Sequence, residues 1–113
     1  MILVPYKGVG NLKIGEHLTI DAKIIKLMKE RGVFAITDPK NNIEIVVVRN
    51  PSIRVEHLDI GVNDSLNKLK KIAPDGIKMF PSDSKNSYRR AYYNGVTYEL
   101  NNCDKILTMT VHK

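Results

Sequence analysis

Gly8-Val9-Gly10-Asn11-Leu12-Lys13-Ile14-Gly15, running on through Glu16 into a periodic stretch that ends at Met28, decides the fold. Its glycines permit a tight turn and free the backbone ahead of a helix, while Leu12 and Ile14 are placed to enter a core. Thr19 is suited to cap that helix, and Asp21 falls where the helix dipole favours negative charge. Ile20, Ile24, Leu27 and Met28 recur at i, i+4, i+7 and i+8, which predicts one buried helical face. Arg31-Gly32 is the expected stop.

Outward from there, a weaker copy follows. Asp59-Ile60-Gly61 precedes Asn63 or Asp64 as a cap, then Leu66, Leu69, Ile72 and Ala73 share a helical face that Pro74 closes. Upstream, Met1 to Val4 reads as a buried first strand ending at Pro5. Val33 to Thr37 and Ile43 to Arg49 flank the turn-rich Asp38-Pro39-Lys40-Asn41-Asn42 and predict an antiparallel hairpin. Ser52 to Leu58 alternates, with Ile53, Val55 and His57 set against Arg54 and Glu56, as a half-buried strand does. Ile77 to Phe80 is a further strand, and Pro81 to Ser87 a polar loop. Asn94-Gly95 joins Tyr88–Tyr93 to Val96–Leu100 as a hairpin, because a type I′ turn needs positive φ at both central residues. Past the turn Asn101–Asp104, Lys105 to His112 returns and completes a closing three-stranded meander.

The predicted class is α+β. One domain spans residues 1–113, with similar halves at about 8–58 and 59–113, each a helix followed by three strands. The strands are expected in one antiparallel sheet or two small sheets, with both helices packed on one side, since an apolar helical stripe must cover a sheet.

A chain of 113 residues with 42% hydrophobic and 27% charged content is an ordinary globular composition, long enough for a core without staples. The lone Cys103 excludes an intramolecular disulfide and suits a reducing compartment. No segment nears the roughly 18 uncharged apolar residues of a membrane span. Met1–Val4 is too short for a signal-peptide core before Pro5-Tyr6-Lys7. The expected location is therefore cytoplasmic, with no membrane partner. The net charge of +6 is uneven: Lys68 to Arg90 holds Lys68, Lys70, Lys71, Lys78, Lys85, Arg89 and Arg90 against Asp75 and Asp83. That sign suits an acidic protein, a nucleic acid or an anionic surface, and the plainer alternative is a solvated helix face and strand.

No catalytic or metal constellation emerges, and the expectation is no enzyme and no cofactor. His17, His57 and His112 are far apart and lack metal-ligand spacing. Cys103 sits in a turn without a neighbouring histidine, and carboxylates are scattered. Gly8-Val9-Gly10 loosely matches the start of a dinucleotide fingerprint, but Lys13 stands where the third glycine belongs. A turn that brings backbone close to a sheet explains it better.

Interaction character concentrates in Ile77 to Tyr93. On a strand, Tyr88, Arg90 and Tyr92 share one face while Arg89, Ala91 and Tyr93 share the other. Arginine and tyrosine offer large contact area with directional donors, the chemistry of binding hot spots. Tyrosine is also simply a good strand former. Lys78, Tyr88, Arg89, Arg90, Tyr92 and Tyr93 are the candidate partner-binding residues.

Val4-Pro5, Gly8-Val9-Gly10, Leu12-Lys13-Ile14-Gly15 and the helix beyond resemble small bacterial proteins that open Pro-Gly-x-Gly-x-Gly, Ile-Lys-Leu-Gly-Met-Ser, helix. Tyr93-Asn94-Gly95-Val96-Thr97-Tyr98-Glu99-Leu100, followed by Asp104-Lys105-Ile106, is similar to their closing hairpin. In architecture such chains are related to the helix-then-sheet units of β-lactamase-inhibitor proteins and outer-membrane assembly lipoproteins. Several are immunity proteins of polymorphic or contact-dependent toxin systems. Glu16 replaces the usual methionine, and Tyr6 the usual glycine. The shared residues are glycine and apolar positions, so the resemblance carries no functional site across. It implies a cytoplasmic immunity protein that occludes a cognate protein toxin, with an acidic toxin surface facing Lys78, Arg89 and Arg90. The rival is a basic nucleic-acid-binding module using the Tyr88–Tyr93 strand. A third possibility is an assembly partner that uses Ser52–Leu58 as an exposed strand edge.

Overall fold

A computed structural model describes residues 1–18, 22–81 and 88–112, with side chains of the first helix described from Ile25 onward. Thr19, Ile20, Asp21, the side chain of Ile24 and the 82–87 part of the polar loop lie outside it. In chain order the elements are β1 (Ile2–Val4), β2 (Gly8–Val9), β3 (Leu12–Lys13), α1 (Ala22–Glu30), β4 (Val33–Thr37) and β5 (Ile43–Val48). They continue as β6 (Arg54–Val55), α2 (Leu66–Ile72), β7 (Lys78–Pro81), β8 (Arg89–Tyr93), β9 (Val96–Leu100) and β10 (Ile106–His112). The class is α+β, and most of the regular structure is strand.

The strands form two sheets, one of six strands in the order β4-β5-β10-β9-β8-β7 and one of four in the order β3-β2-β1-β6. Every neighbouring pair in the larger sheet is antiparallel. The C-terminal meander therefore has four strands rather than three, because β7 adds to β8. β10 then joins this meander to the β4–β5 hairpin, with Val111 opposite Val46. The first half keeps only two strands in this sheet; its third, β6, pairs in parallel with β1 across Leu3 and Val55.

The glycine-rich opening supplies close backbone approach. A Cβ on Gly8 would stand 2.1 Å from the Leu12 carbonyl oxygen, inside the β2–β3 pair. Only glycine fits there. Asn94 and Gly95 both take positive φ (47° and 82°), as the β8–β9 hairpin requires.

Leu3, Val9, Leu12, Met28, Val33, Val46, Val48, Leu66, Leu69, Ala91, Tyr98, Met109 and Val111 belong to one buried cluster, so both sheets and both helices contribute to a shared core. Several expectations give way here. Leu27 is 52% exposed, and Met28 carries the described burial of α1 with half-buried Ile25 beside it. Ile72 is likewise exposed, leaving Leu66 and Leu69 as the buried side of α2. Ser65, not Asn63 or Asp64, caps α2 through its hydroxyl oxygen, which accepts the Lys68 N–H at 3.2 Å.

Asp64 is instead drawn into a polar clamp. Arg54 Nη2 lies 2.7 Å and Lys68 Nζ 3.2 Å from its Oδ2, which also accepts the Gly61 N–H at 2.9 Å. This clamp explains why Ser52–Leu58 yields only a two-residue strand. Arg54 reaches forward to Asp59 and Asp64, and the Val55 N–H donates to the Ile60 carbonyl at 2.8 Å, turning the chain back on itself. His57 ends up exposed at φ 66° instead of beside Ile53 and Val55.

Candidate functional site

Alternation sorts the larger sheet into two faces, and register aligns them across strands. The inward row runs Met79, Ala91, Tyr98, Met109, Val48, Val33. The outward row one residue over runs Lys78, Tyr92, Thr97, Thr110, Val47, Phe34. Beside it, Phe80, Arg90, Glu99 and Thr108 form a second outward row. Tyr92, Arg90, Thr97, Glu99, Thr110, Val47 and Phe34 remain half-exposed, and Lys78, Phe80 and His112 are exposed.

The six candidate residues therefore divide. Lys78, Arg90 and Tyr92 meet on the outward face, where they line a shallow depression of about 400 Å³ with Phe80, Thr97 and His112. Arg89 and Tyr93 turn inward with Ala91. Arg89 spends its guanidinium on Asp104, Nε to Oδ1 at 2.9 Å and Nη2 to Oδ2 at 2.6 Å. This bidentate pair holds the Asp104 carboxyl below its ordinary range and ties the β10 turn to β8. Tyr93 packs against the core, and its neighbours explain it without a partner. Tyr88 is 64% exposed just before β8, beside Phe80 and Arg89 at a separate concavity.

Tyr6 is a site residue that alternation alone does not reveal. It holds φ 65°, uncommon for a residue with a side chain, and is 59% exposed. A Cβ on Gly95 would lie 2.7 Å from its ring atoms, so the ring rests directly on the hairpin turn. Its hydroxyl hydrogen-bonds Tyr92, which raises the Tyr6 phenol above its ordinary value. The Tyr92 hydroxyl also accepts the Gly95 N–H at 3.2 Å. Tyr6 thus clamps the β1–β2 turn onto the β8–β9 turn and fixes the Tyr92 ring. No spacing or alternation in the sequence points to it, because its partners lie in the β8–β9 hairpin, toward the other end of the chain.

Among the described residues no group of three His, Cys, Asp or Glu side chains is arranged to hold a metal ion. No described helix is long and apolar enough to cross a membrane. Cys103 is exposed in the turn before β10, its N–H donating to the Asn101 side chain at 2.9 Å. No family model, curated protein or solved structure matches the chain.

Proposed function

We propose that this chain is a non-enzymatic protein-binding protein that uses the outward face of its larger sheet, and that its partner is a toxin it neutralises as an immunity protein does. One observation carries the binding reading. Cationic and aromatic side chains from β7, β8 and β10 gather on the outward side of the larger sheet, while Ala91 of β8 and Met109 and Val111 of β10 are buried in the core on its other side. Lys78, Arg90 and Tyr92 are the contact residues retained; Arg89, Tyr93 and Tyr88 fall away from that cluster. The immunity assignment rests on the sequence resemblance. In this reading both helices lie with the buried side of the platform, since Met28, Leu66 and Leu69 share the core with Ala91, Tyr98 and Met109. Inhibition would come from steric cover guided by charge complementarity, which places acidic residues on the toxin. A toxin with a basic substrate groove would be met away from that groove, because like charge repels there.

Co-expression decides it. Where a large secreted protein with a variable C-terminal domain is encoded next to this gene, the chain is produced together with that domain, and growth and complex formation are followed. Growth rescue with a co-purifying stoichiometric complex is the expected result, and rescue should fail for Lys78→Glu with Arg90→Glu. Absence of both rescue and complex rejects the immunity role.

A further inference from the structure

We propose that Asn94-Gly95, the one Asn-Gly pair in the chain, is a site of spontaneous deamidation and that Tyr6 and Tyr92 hold it closed in the folded protein. Such a site is independent of what the outward face binds. The step is intramolecular. The Gly95 nitrogen, once its proton has passed to water or hydroxide, attacks the side-chain carbonyl carbon of Asn94. The new bond closes a succinimide ring, and the side-chain nitrogen leaves as ammonia with a proton from solvent. Water then opens the ring at either carbonyl, breaking one ring C–N bond and leaving aspartate or isoaspartate at position 94. Glycine favours the attack because it has no Cβ to crowd the approaching nitrogen.

Two features of the fold stand in the way. Gly95 lies beyond Tyr93 and Val96, the last opposed pair of the β8–β9 ladder, and its N–H donates instead to the Tyr92 hydroxyl at 3.2 Å. An amide held in this way has to be released before it can lose its proton, at the cost of a hydrogen bond. The Tyr6 ring supplies the second obstacle, since a Cβ on Gly95 would stand 2.7 Å from its atoms. The nitrogen reaches the Asn94 carbonyl carbon only if the peptide between them turns, and the ring leaves Gly95 little room to swing. Asn94 is exposed and Gly95 buried, so the group to be attacked is open to solvent while the attacking one is covered. The Tyr6 hydroxyl in turn hydrogen-bonds Tyr92, and the two guards brace each other.

Tyr6 keeps its place at φ 65°, a backbone state that a residue with a side chain adopts at a cost. What the guard preserves is register. Asn94 and Gly95 take positive φ, 47° and 82°, and the turn they form sets Ala91 opposite Tyr98 and Tyr92 opposite Thr97. Isoaspartate would add a methylene to the backbone inside that turn and shift the two strands against each other. Ala91 and Tyr98 are completely buried, so the shift would be felt in the core. Aspartate would keep the turn, because it tolerates positive φ, and would add a negative charge.

The test incubates the full chain at neutral pH and follows position 94 by peptide mapping with mass spectrometry, alongside amide hydrogen exchange by NMR. Asn94 in the folded chain should convert far more slowly than in the same chain unfolded in urea. Tyr92→Phe, which keeps the ring and removes the acceptor, should speed conversion about fivefold, the worth of one ordinary hydrogen bond. Tyr6→Ala should speed it at least as much, whereas Tyr6→Phe, which keeps the covering ring, should stay closer to the parent. In each faster variant the Gly95 amide should exchange faster while the Tyr98 and Met109 amides keep the parent's protection. Folded and unfolded chains converting alike would overturn the guard. Tyrosine variants converting at the parent's rate would also overturn it, leaving the protection to turn geometry alone. So would an equal rise in exchange at Tyr98 and Met109, because lost global stability would then account for the conversion.

Discussion

The two faces of the six-stranded sheet are made by the same strands, one residue apart, yet they obey different rules. Inward, five of the six aligned side chains from Met79 to Val33 are buried and all are apolar or aromatic. Outward, lysine, tyrosine, two threonines, valine and phenylalanine follow one another with partial exposure. Folding dictates the first row, because each apolar group removed from water contributes and each void costs. It places little demand on the second. What gathers on the outward face is thus not dictated by core packing, and near β7 it is positive charge beside aromatic rings.

The sharpest way to break this contrast is to cut the same strand on both sides. Met109 and Thr110 are neighbours on β10, the first completely buried and the second half-exposed. Met109→Ala should cost about 2–5 kcal/mol, because it removes apolar contact and leaves a cavity between Tyr98 and Val48. Thr110→Ala should cost less than about 1 kcal/mol, a loss of strand preference alone. Urea midpoints at constant m-value measure both. Similar losses for the two would mean that the outward face is covered, and the binding reading would fall with it.

That contrast also explains what could be read from the residues. The β4–β5 and β8–β9 hairpins were legible because β-branched runs flank turn chemistry that has few alternatives: Asp38 accepts the Lys40 and Asn42 N–H groups, and Asn94-Gly95 takes positive φ. Alternation separated Arg90 and Tyr92 from Arg89, Ala91 and Tyr93, and the structure shows that the Ala91 side faces the core. Ser52–Leu58 misled because its alternation was genuine, but the Arg54 side chain found Asp59 and Asp64 downstream and bent the chain after Val55. Such a clamp depends on groups up to 10 residues apart and leaves no periodic trace. Leu27 misled as well: it shares the helical spacing of Met28, yet the buried side of α1 is Met28 with half-buried Ile25, and Leu27 points out. Arg89 and Arg90 look equivalent in sequence. Only Asp104, brought back by the β9–β10 turn, shows that Arg89 is held in a bidentate pair at the sheet's rim, while Arg90 lies on the outward face.

Arg89 is the informative exception, a charge on the inward-facing parity. The rule predicts that it is tolerated only at the rim and only when paired, and both conditions hold. Asp104→Asn tests this cleanly, because asparagine tolerates the φ of 57° found there and keeps most of the shape. The pair is more than a third exposed on the carboxylate side, so its contribution is discounted to about 1 kcal/mol. The sign follows from the lowered carboxyl of Asp104, caused mainly by the Arg89 hydrogen bonds. A carboxyl depressed in the folded state stabilises fully above its unfolded value, near pH 4, and that contribution is lost as pH falls through the lower folded value. Thermal melts from pH 7 to pH 2 should therefore show the variant less stable at neutral pH and converging on the parent in acid. A constant difference across the range would assign the loss to shape and not to charge.

The smallest effect expected is also of the opposite sign. Tyr98 sits in the inward row between Ala91 and Met109, and its buried hydroxyl has no hydrogen-bond partner among the described residues. Burial, with the nearby Tyr93 adding to it, pushes this phenol well above its ordinary value. A buried hydroxyl without a partner forfeits the bonds it had to water, so the inward face carries here a cost that the outward face escapes. Tyr98→Phe removes that oxygen and keeps the ring, at the loss of a few contacts. Stability at pH 7 should stay level or rise by up to about 1 kcal/mol. Above pH 10 the variant should gain further on the parent: a phenol whose folded value is raised favours folding only below its unfolded value, and ionisation in the unfolded chain erodes the parent's stability as pH climbs toward the folded value. A loss beyond about 1 kcal/mol would instead place a buried water on the hydroxyl, making the inward face wet at its centre and blurring the division from which the binding face was read.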